Sequence, residues 1–261
     1  MNLRFAQITD HHLAEGDLLW GYSTWHALRS VLRHIADHAG PLDCIVSTGD
    51  LTEHASEAEY QIFLDLTGAQ PAGAYPGPLI ARGQGLPGVP LYALPGNHDA
   101  RPSMVRSLFP ASAPAERLNA RFERSGVRFV CVDWGPANKA EAPPDLPGFL
   151  DAALDGTPAV ILMHHHVAPL GHARLDALLP DDVAAFAERI AGRGVLAILS
   201  GHTHATFERE LAGVPVLGLR STCFQFAPID GPLLRCLQPP HYRIVTIEGG
   251  ALRSEIVEVP L

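Results

Sequence analysis

Pro95-Gly96-Asn97-His98-Asp99, directly behind the apolar run Val89-Pro90-Leu91-Tyr92-Ala93-Leu94, is the stretch on which the fold turns. A short apolar run that breaks at Pro-Gly predicts a buried strand ending in a tight turn. The turn sets Asn97 and His98 side by side at the carboxyl end of that strand. An amide oxygen can ligate a hard metal, and an imidazole can donate a proton or stabilise charge. Alone, the pentapeptide reads equally well as a polar turn that contains a histidine.

Other strands end the same way. Leu3 to Ile8 alternates and then turns polar at Thr9-Asp10-His11-His12, and Cys44 to Ser47 runs into Thr48-Gly49-Asp50. Ala159 to Met163 meets His164-His165-His166, and Leu196 to Leu199 meets Ser200-Gly201-His202-Thr203-His204. Helical spacing predicts helices over Thr24–Ala39, from Ser56 to about Leu66, near Pro102–Leu108 and over Asp181–Arg193, with Ser56 and Glu59 as a capping box. Arg128–Asp133, Val214–Leu219, Tyr242–Ile247 and Ile256–Val259 read as further strands. Gly68–Pro87 and Trp134–Gly148 read as long loops, the first on the surface at the site rim and the second overhanging the site.

In α/β sheets, ligands bind outside the carboxyl ends of the strands, so the clusters are expected to converge in one crevice. Asp, His and Asn together suit Zn, Mn, Fe or Co rather than a thiolate-rich structural zinc site. Asp10, His12, Asp50, Asn97, one of His164 to His166, His202 and His204 are too many donors for one ion, and a shared carboxylate can bridge two. His11, His54 and His172 read as solvated loop histidines.

Bulk properties narrow the classes. With 261 residues and 47% hydrophobic composition, the chain can bury a sizeable core as one domain spanning 1–261, its part from about 205 to 261 completing the second sheet. Cys44, Cys131, Cys223 and Cys236 show no CxxC and no disulfide-like spacing, so they are expected as thiols in a reducing, cytoplasmic setting. No signal peptide and no membrane-crossing run of about 18 apolar residues is visible. A net charge of −9 argues against a nucleic acid polymer as partner, yet it allows a small, locally positive site.

The order Asp10-x-His12, Gly49-Asp50, Gly96-Asn97-His98-Asp99, His164 and Gly201-His202-x-His204 resembles the calcineurin-like metallophosphoesterase superfamily over residues 3 to 204. The resemblance implies a four-layer α-β-β-α sandwich of two mixed sheets with two metal ions (Fe, Mn, Zn or Co) at the carboxyl edge. It gives Asp10, His12 and His204 to one ion, Asn97, His164 and His202 to the other, and Asp50 to both. His98 would face the leaving group, with Asp99 or a backbone group orienting it. Protein Ser/Thr phosphatases differ after Asp50 and His98, where this chain has Leu51-Thr52-Glu53 and Asp99, and lipid-A precursor pyrophosphohydrolases have Arg in place of His98. Ser221 to Phe226 and Pro240 to Arg243 are similar to the tail of bacterial class III cyclic-nucleotide phosphodiesterases and glycerophosphodiesterases. The family often has Pro after the His pair where this chain has His166-Val167, so His164 is taken as the ligand because it comes first after the strand.

The implied activity is hydrolysis of a small phosphodiester, a 3′,5′-cyclic nucleotide or a glycerophosphodiester, by a hydroxide held between the metals. Two divalent ions outweigh Asp10, Asp50 and that hydroxide, so the site attracts a phosphate within an acidic protein. The alternatives are a phosphomonoesterase or pyrophosphatase on the same site, or a metal-binding scaffold without turnover. Expected substrate contacts are Asn97, His98, His165, His166, Trp20 and Tyr22, and the tail is a candidate for forming a homodimer.

Overall fold

Leu3 and Phe5 contribute to one apolar cluster and Ala6 and Ile8 to another, and all four are buried. A strand buried on both faces has to lie between packed layers. The computed structural model, which describes residues 2–81, 86, 88–227 and 234–260, builds those layers. A seven-stranded sheet has the order Ala251–Glu258, His241–Glu248, Asn2–Ile8, Cys44–Ser47, Pro90–Ala93, Leu79–Ala81, Ala69–Gln70. A six-stranded sheet has the order Phe207–Leu211, Val214–Gly218, Val195–Ser200, Ala159–Met163, Val127–Val132, Ala120–Arg124. Both are mixed. In each the inner strands run parallel and the edges antiparallel.

The inner faces pack on each other through Phe5, Val46 and Tyr92 from one sheet and Phe129, Leu162 and Leu199 from the other. Phe5 meets Phe129 edge-on at 5.2 Å. Helices cover the outer faces. Thr24–His38 buries Leu28, Val31, Leu32 and Ile35, a spacing that keeps one apolar stripe on the first sheet. Glu57–Thr67 starts at the Ser56–Glu59 capping box and stops at Gly68 in left-handed conformation, and Arg101–Leu108 packs beside it. Leu146–Ala153 and Val183–Ile190 cover the second sheet. The α-β-β-α sandwich is therefore the observed architecture.

Several expectations need correction. Gly68–Pro87 is not one loop: Ala69–Gln70 and Leu79–Ala81 extend the first sheet, and positions 82–85 and 87 of that stretch lie outside the described residues. The part after 204 divides between the sheets instead of completing the second alone. Phe207–Leu211 and Val214–Gly218 join the second, while His241–Glu248 pairs with Asn2–Ile8 in the first and carries Ala251–Glu258 outside it. Burial of Ile244 on one face and Val245 on the other explains the placement, because that strand needs cover on both sides.

Candidate metal centre

Parallel strands bring the polar turns to one edge. The carboxyl ends of Asn2–Ile8, Cys44–Ser47 and Pro90–Ala93 lie together in one sheet, and those of Ala159–Met163 and Val195–Ser200 in the other. Gln7 joins the two, its Nε2 donating to Thr48 Oγ1 (3.1 Å) and to Ser200 O (3.2 Å). The Asp10 amide donates to Gly49 O at 2.9 Å, and the Gly201 amide to His164 O at 3.0 Å.

The seven expected ligands meet there. His12 Nε2 lies 3.0 Å from His204 Nε2, and the same His204 atom is 3.3 Å from Asp10 Oδ1. Asp50 Oδ2 is 3.5 Å from His12 Nε2 and 3.3 Å from His164 Nε2, so its carboxylate stands between two groups of donors. Asn97 Oδ1 is 3.0 Å from His164 Nε2 and 2.9 Å from His202 Nδ1. Asp10, His12 and His204 form one cluster of metal-ligand geometry, and Asp10, Asp50 and His164 another.

The outer nitrogens determine what the inner ones offer. His12 Nδ1 donates to Glu53 Oε2 (2.7 Å), His204 Nδ1 to Phe224 O (2.7 Å) and His164 Nδ1 to Thr48 O (2.9 Å). In neutral rings the three Nε2 atoms then carry lone pairs, all aimed at carboxylate or amide oxygens or at one another. Acceptors facing acceptors in a buried place require a cation among them, either protons or metal ions. Without a metal, protons would have to fill that role. Burial opposes charge on His164, yet Asp50 and Asp10 push its pKa up to about 9. Burial likewise works against His12, and the Glu53 hydrogen bond and Asp50 raise it. The two carboxyls, which burial would raise, are held below the usual range, Asp10 by His204 and His164 and Asp50 by His164 and His12. Two anionic carboxylates, four imidazoles (His202 Nδ1 beside Asn97 being the fourth) and an amide oxygen fit a pair of metal ions.

His98 sits beside this cluster and half faces the cavity. Its amide donates to Asp50 Oδ1 at 2.8 Å, and its Nδ1 donates to Glu53 O at 2.9 Å. Of the two candidates for orienting its ring, the backbone group does so. Asp99 is fully buried and engaged elsewhere, accepting from the amides of Leu51, Thr52 and Gly96 and from the hydroxyls of Thr52 and Tyr60. Asp99 therefore ties the Asp50 and Asn97 turns together and is not a group that meets substrate.

A cavity of about 340 Å³ opens over the cluster, walled by Trp20, Glu53, Asn138, Arg174, Phe224, Phe226 and Arg235. Trp20 is at its mouth, 49% exposed. Tyr22 stacks behind, on Phe224 at 6.2 Å. His165 and His166 do not line it. They are buried and bonded through Nε2 to Ala137 O (2.8 Å) and Leu175 O (3.1 Å), bracing the wall. Burial lowers their pKa values to about 3 and about 4, which keeps both neutral. Trp134 is packed on Phe186 in the core, yet its loop does overhang the site through Asn138, which accepts from Asn97 Nδ2 at 3.0 Å. His11 is another correction: it is fully buried between Thr222 Oγ1 (2.9 Å) and Ser47 Oγ (2.8 Å). His54 is exposed, as expected, and His172 caps the short helix Ala173–Asp176.

This fold with this donor set defines a metallophosphoesterase. The chain belongs to the calcineurin-like phosphoesterase family, whose sequence model matches residues 3–206. Over 265 residues it is 30% identical to a 3′,5′-cyclic adenosine monophosphate phosphodiesterase, CpdA, of Escherichia coli (strain K12), with 97% of this chain and 89% of that protein covered. Identity to the protein of the same name in Pseudomonas aeruginosa is 28% over 269 residues, covering 97% and 89%. A dimetal phosphatase from Danio rerio shares the fold with a TM-score of 0.65 over 99% of both chains at 14% identity. No helix among the described residues is long and apolar enough to cross a membrane.

Proposed function

We propose that the chain, acting as one domain over 1–261, is a dinuclear metal-dependent phosphodiesterase that cleaves a small cyclic diester, a 3′,5′-cyclic nucleotide, with a glycerophosphodiester as second candidate. The observation that carries this reading is the convergence of Asp10, His12, Asp50, Asn97, His164, His202 and His204, with Asp50 within 3.5 Å of donors on both sides. The cyclic-nucleotide activity of the relatives supports the choice of diester. Asp10, His12 and His204 would hold one ion, Asn97, His164 and His202 the other, and Asp50 both.

A pair of metal ions held by these residues would supply Lewis-acid chemistry to the phosphoryl group and make water a better nucleophile near neutral pH. The chain's own residues do the rest. Glu53, Thr48 O and Phe224 O hold His12, His164 and His204 in the tautomer that turns Nε2 inward. His98 donates its Nδ1 proton to Glu53 O, so it is as the doubly protonated imidazolium that it would offer an Nε2 proton to the oxygen that departs from phosphorus. Trp20, Phe224 and Phe226 line the cavity with apolar rings. Purified protein of defined metal content should hydrolyse cyclic nucleotides well ahead of phosphomonoesters and pyrophosphate. Asp50→Ala should abolish turnover and lower the bound metal measured by elemental analysis. A monoester preference, or a full metal load in that variant, contradicts the proposal.

A further inference from the structure

The cavity lining combines three rings and a cation, Trp20, Phe224, Phe226 and Arg235, with the polar Glu53, Asn138 and Arg174. Phe224 touches the metal-ligand cluster directly, its ring 4.6 Å from that of His204 and 5.4 Å from that of His12. Trp20 stands edge-on to Phe224 at 5.0 Å and 83°. The Arg235 guanidinium carbon lies 3.7 Å from the centroid of the Trp20 ring and 5.8 Å from that of Phe224. The donor cluster and the cation–π pair are thus two ring contacts apart.

Three features mark this corner as a site. Trp20 holds a left-handed backbone (φ 49°), an uncommon conformation for a bulky residue, and so sends an indole to the cavity mouth. Half of that indole is left open to solvent. Arg235 comes from a separate hairpin, Gln225–Ala227 with Leu234–Cys236, and lays its charge on the indole although the strand's other apolar neighbour, Leu234, is exposed. A glycerol moiety asks for hydrogen-bond partners to its hydroxyls. A nucleobase asks for flat surfaces, and it stacks on aromatic rings and on guanidinium planes alike.

We propose that Trp20 and Arg235, backed by Phe224, form the base-binding subsite, so that the protein selects a nucleoside cyclic phosphate over a glycerophosphodiester. The inference rests on the diesterase reading and gives it a substrate class. Trp20 and Arg235 act on specificity and leave the bond-breaking step to the cluster beneath them. Trp20→Ala and Arg235→Ala should each lower the ratio of kcat/KM for a 3′,5′-cyclic nucleotide to that for glycerophosphoethanolamine, by about tenfold for the indole. The loss should fall on KM, and Trp20→Phe should restore most of it.

A binding titration separates the two levels of the argument. Adenosine 5′-monophosphate should quench the tryptophan fluorescence of the metal-loaded protein at concentrations where glycerol 3-phosphate does not, and Trp20→Phe should remove the quench. A quench without turnover of any diester keeps the subsite and removes the activity. Turnover of cyclic nucleotides with an unchanged ratio in both alanine variants overturns the subsite and keeps the activity. No quench and no turnover overturns both.

Discussion

Asp10, His12, Asp50, His202 and His204 all hold left-handed backbone, with φ of 54°, 46°, 50°, 68° and 49°. For residues with a Cβ this region costs on the order of 1 kcal/mol each, and its concentration at one edge marks a place where stability is given up for geometry. The twist at each strand end turns the side chain inward. What holds it there is less visible in the chain. Glu53 is one residue that sequence reasoning missed: its carboxylate is 2.7 Å from His12 Nδ1 and 3.5 Å from His98 Nδ1, and its carbonyl accepts from His98. Glu53→Ala should lower metal affinity about 10- to 100-fold, the usual effect of removing a carboxylate behind a ligating imidazole. Glu53→Gln, which still accepts from His12, should recover part of it, as isothermal titration with the metal would show. His98→Ala should behave differently, keeping the metal load while kcat falls about 10²- to 10⁴-fold. The candidate ligands were legible because each sits in a short motif at a strand end. Glu53 and Asn138 were not, since a lone carboxylate or amide in a loop carries no pattern. His11 was misread for a related reason: its burial depends on Thr222, which arrives from far along the chain.

The turns that follow the strands depend on glycines that permit close approach. A Cβ on Gly96 would lie 2.1 Å from Asp50 Oδ1 and 2.3 Å from the Asp50 backbone nitrogen. One on Gly201 would lie 2.1 Å from Thr9 Oγ1 and 2.4 Å from Asp10 Oδ2. Gly96→Ala should therefore displace Asp50 and destabilise the fold by about 1–3 kcal/mol, with loss of metal beyond what the stability change explains. Wild-type metal content in a folded Gly96→Ala protein would refute the argument. The inner strands were readable because burial on both faces leaves an unbroken apolar run, as in Ala159–Met163. The edge strands were not. Ala120–Arg124 has no fully buried residue and Phe207–Leu211 buries only Phe207, so charged and apolar residues mix, and pairing with a neighbour defines them. Ala69–Gln70 and Leu79–Ala81 are too short for any period to show.

Across the whole molecule the two sheets are held in register by buried polar groups as well as by the apolar layer, and those groups make stability depend on pH. His241 begins a strand of the first sheet, and its Nε2 accepts from the Arg220 amide (3.0 Å) and the Thr206 hydroxyl (3.0 Å), which approach it from the second-sheet side of the chain. Burial, then the charges of Arg220 and Arg243, lower its pKa from 6.5 to about 3. A neutral ring is thus part of the packing. Between those two values the unfolded chain binds a proton that the folded chain refuses, so stability rises with pH there and is lost as pH falls from 6.5 towards 3. His11, His165 and His166 shift in the same direction through burial, so their effects add in sign. In chelator, to keep ligand titration by metal out of the comparison, the unfolding free energy from urea titration should fall steadily as pH drops from about 6.5 to about 4, by up to about 1.4 kcal/mol per pH unit for each such histidine. His241→Gln offers an amide oxygen to the Arg220 amide without a titrating ring. It should start less stable at neutral pH and lose stability less steeply with acid, so that the two curves converge. Parallel curves for the variant and the wild type would show that His241 does not couple the sheets to pH.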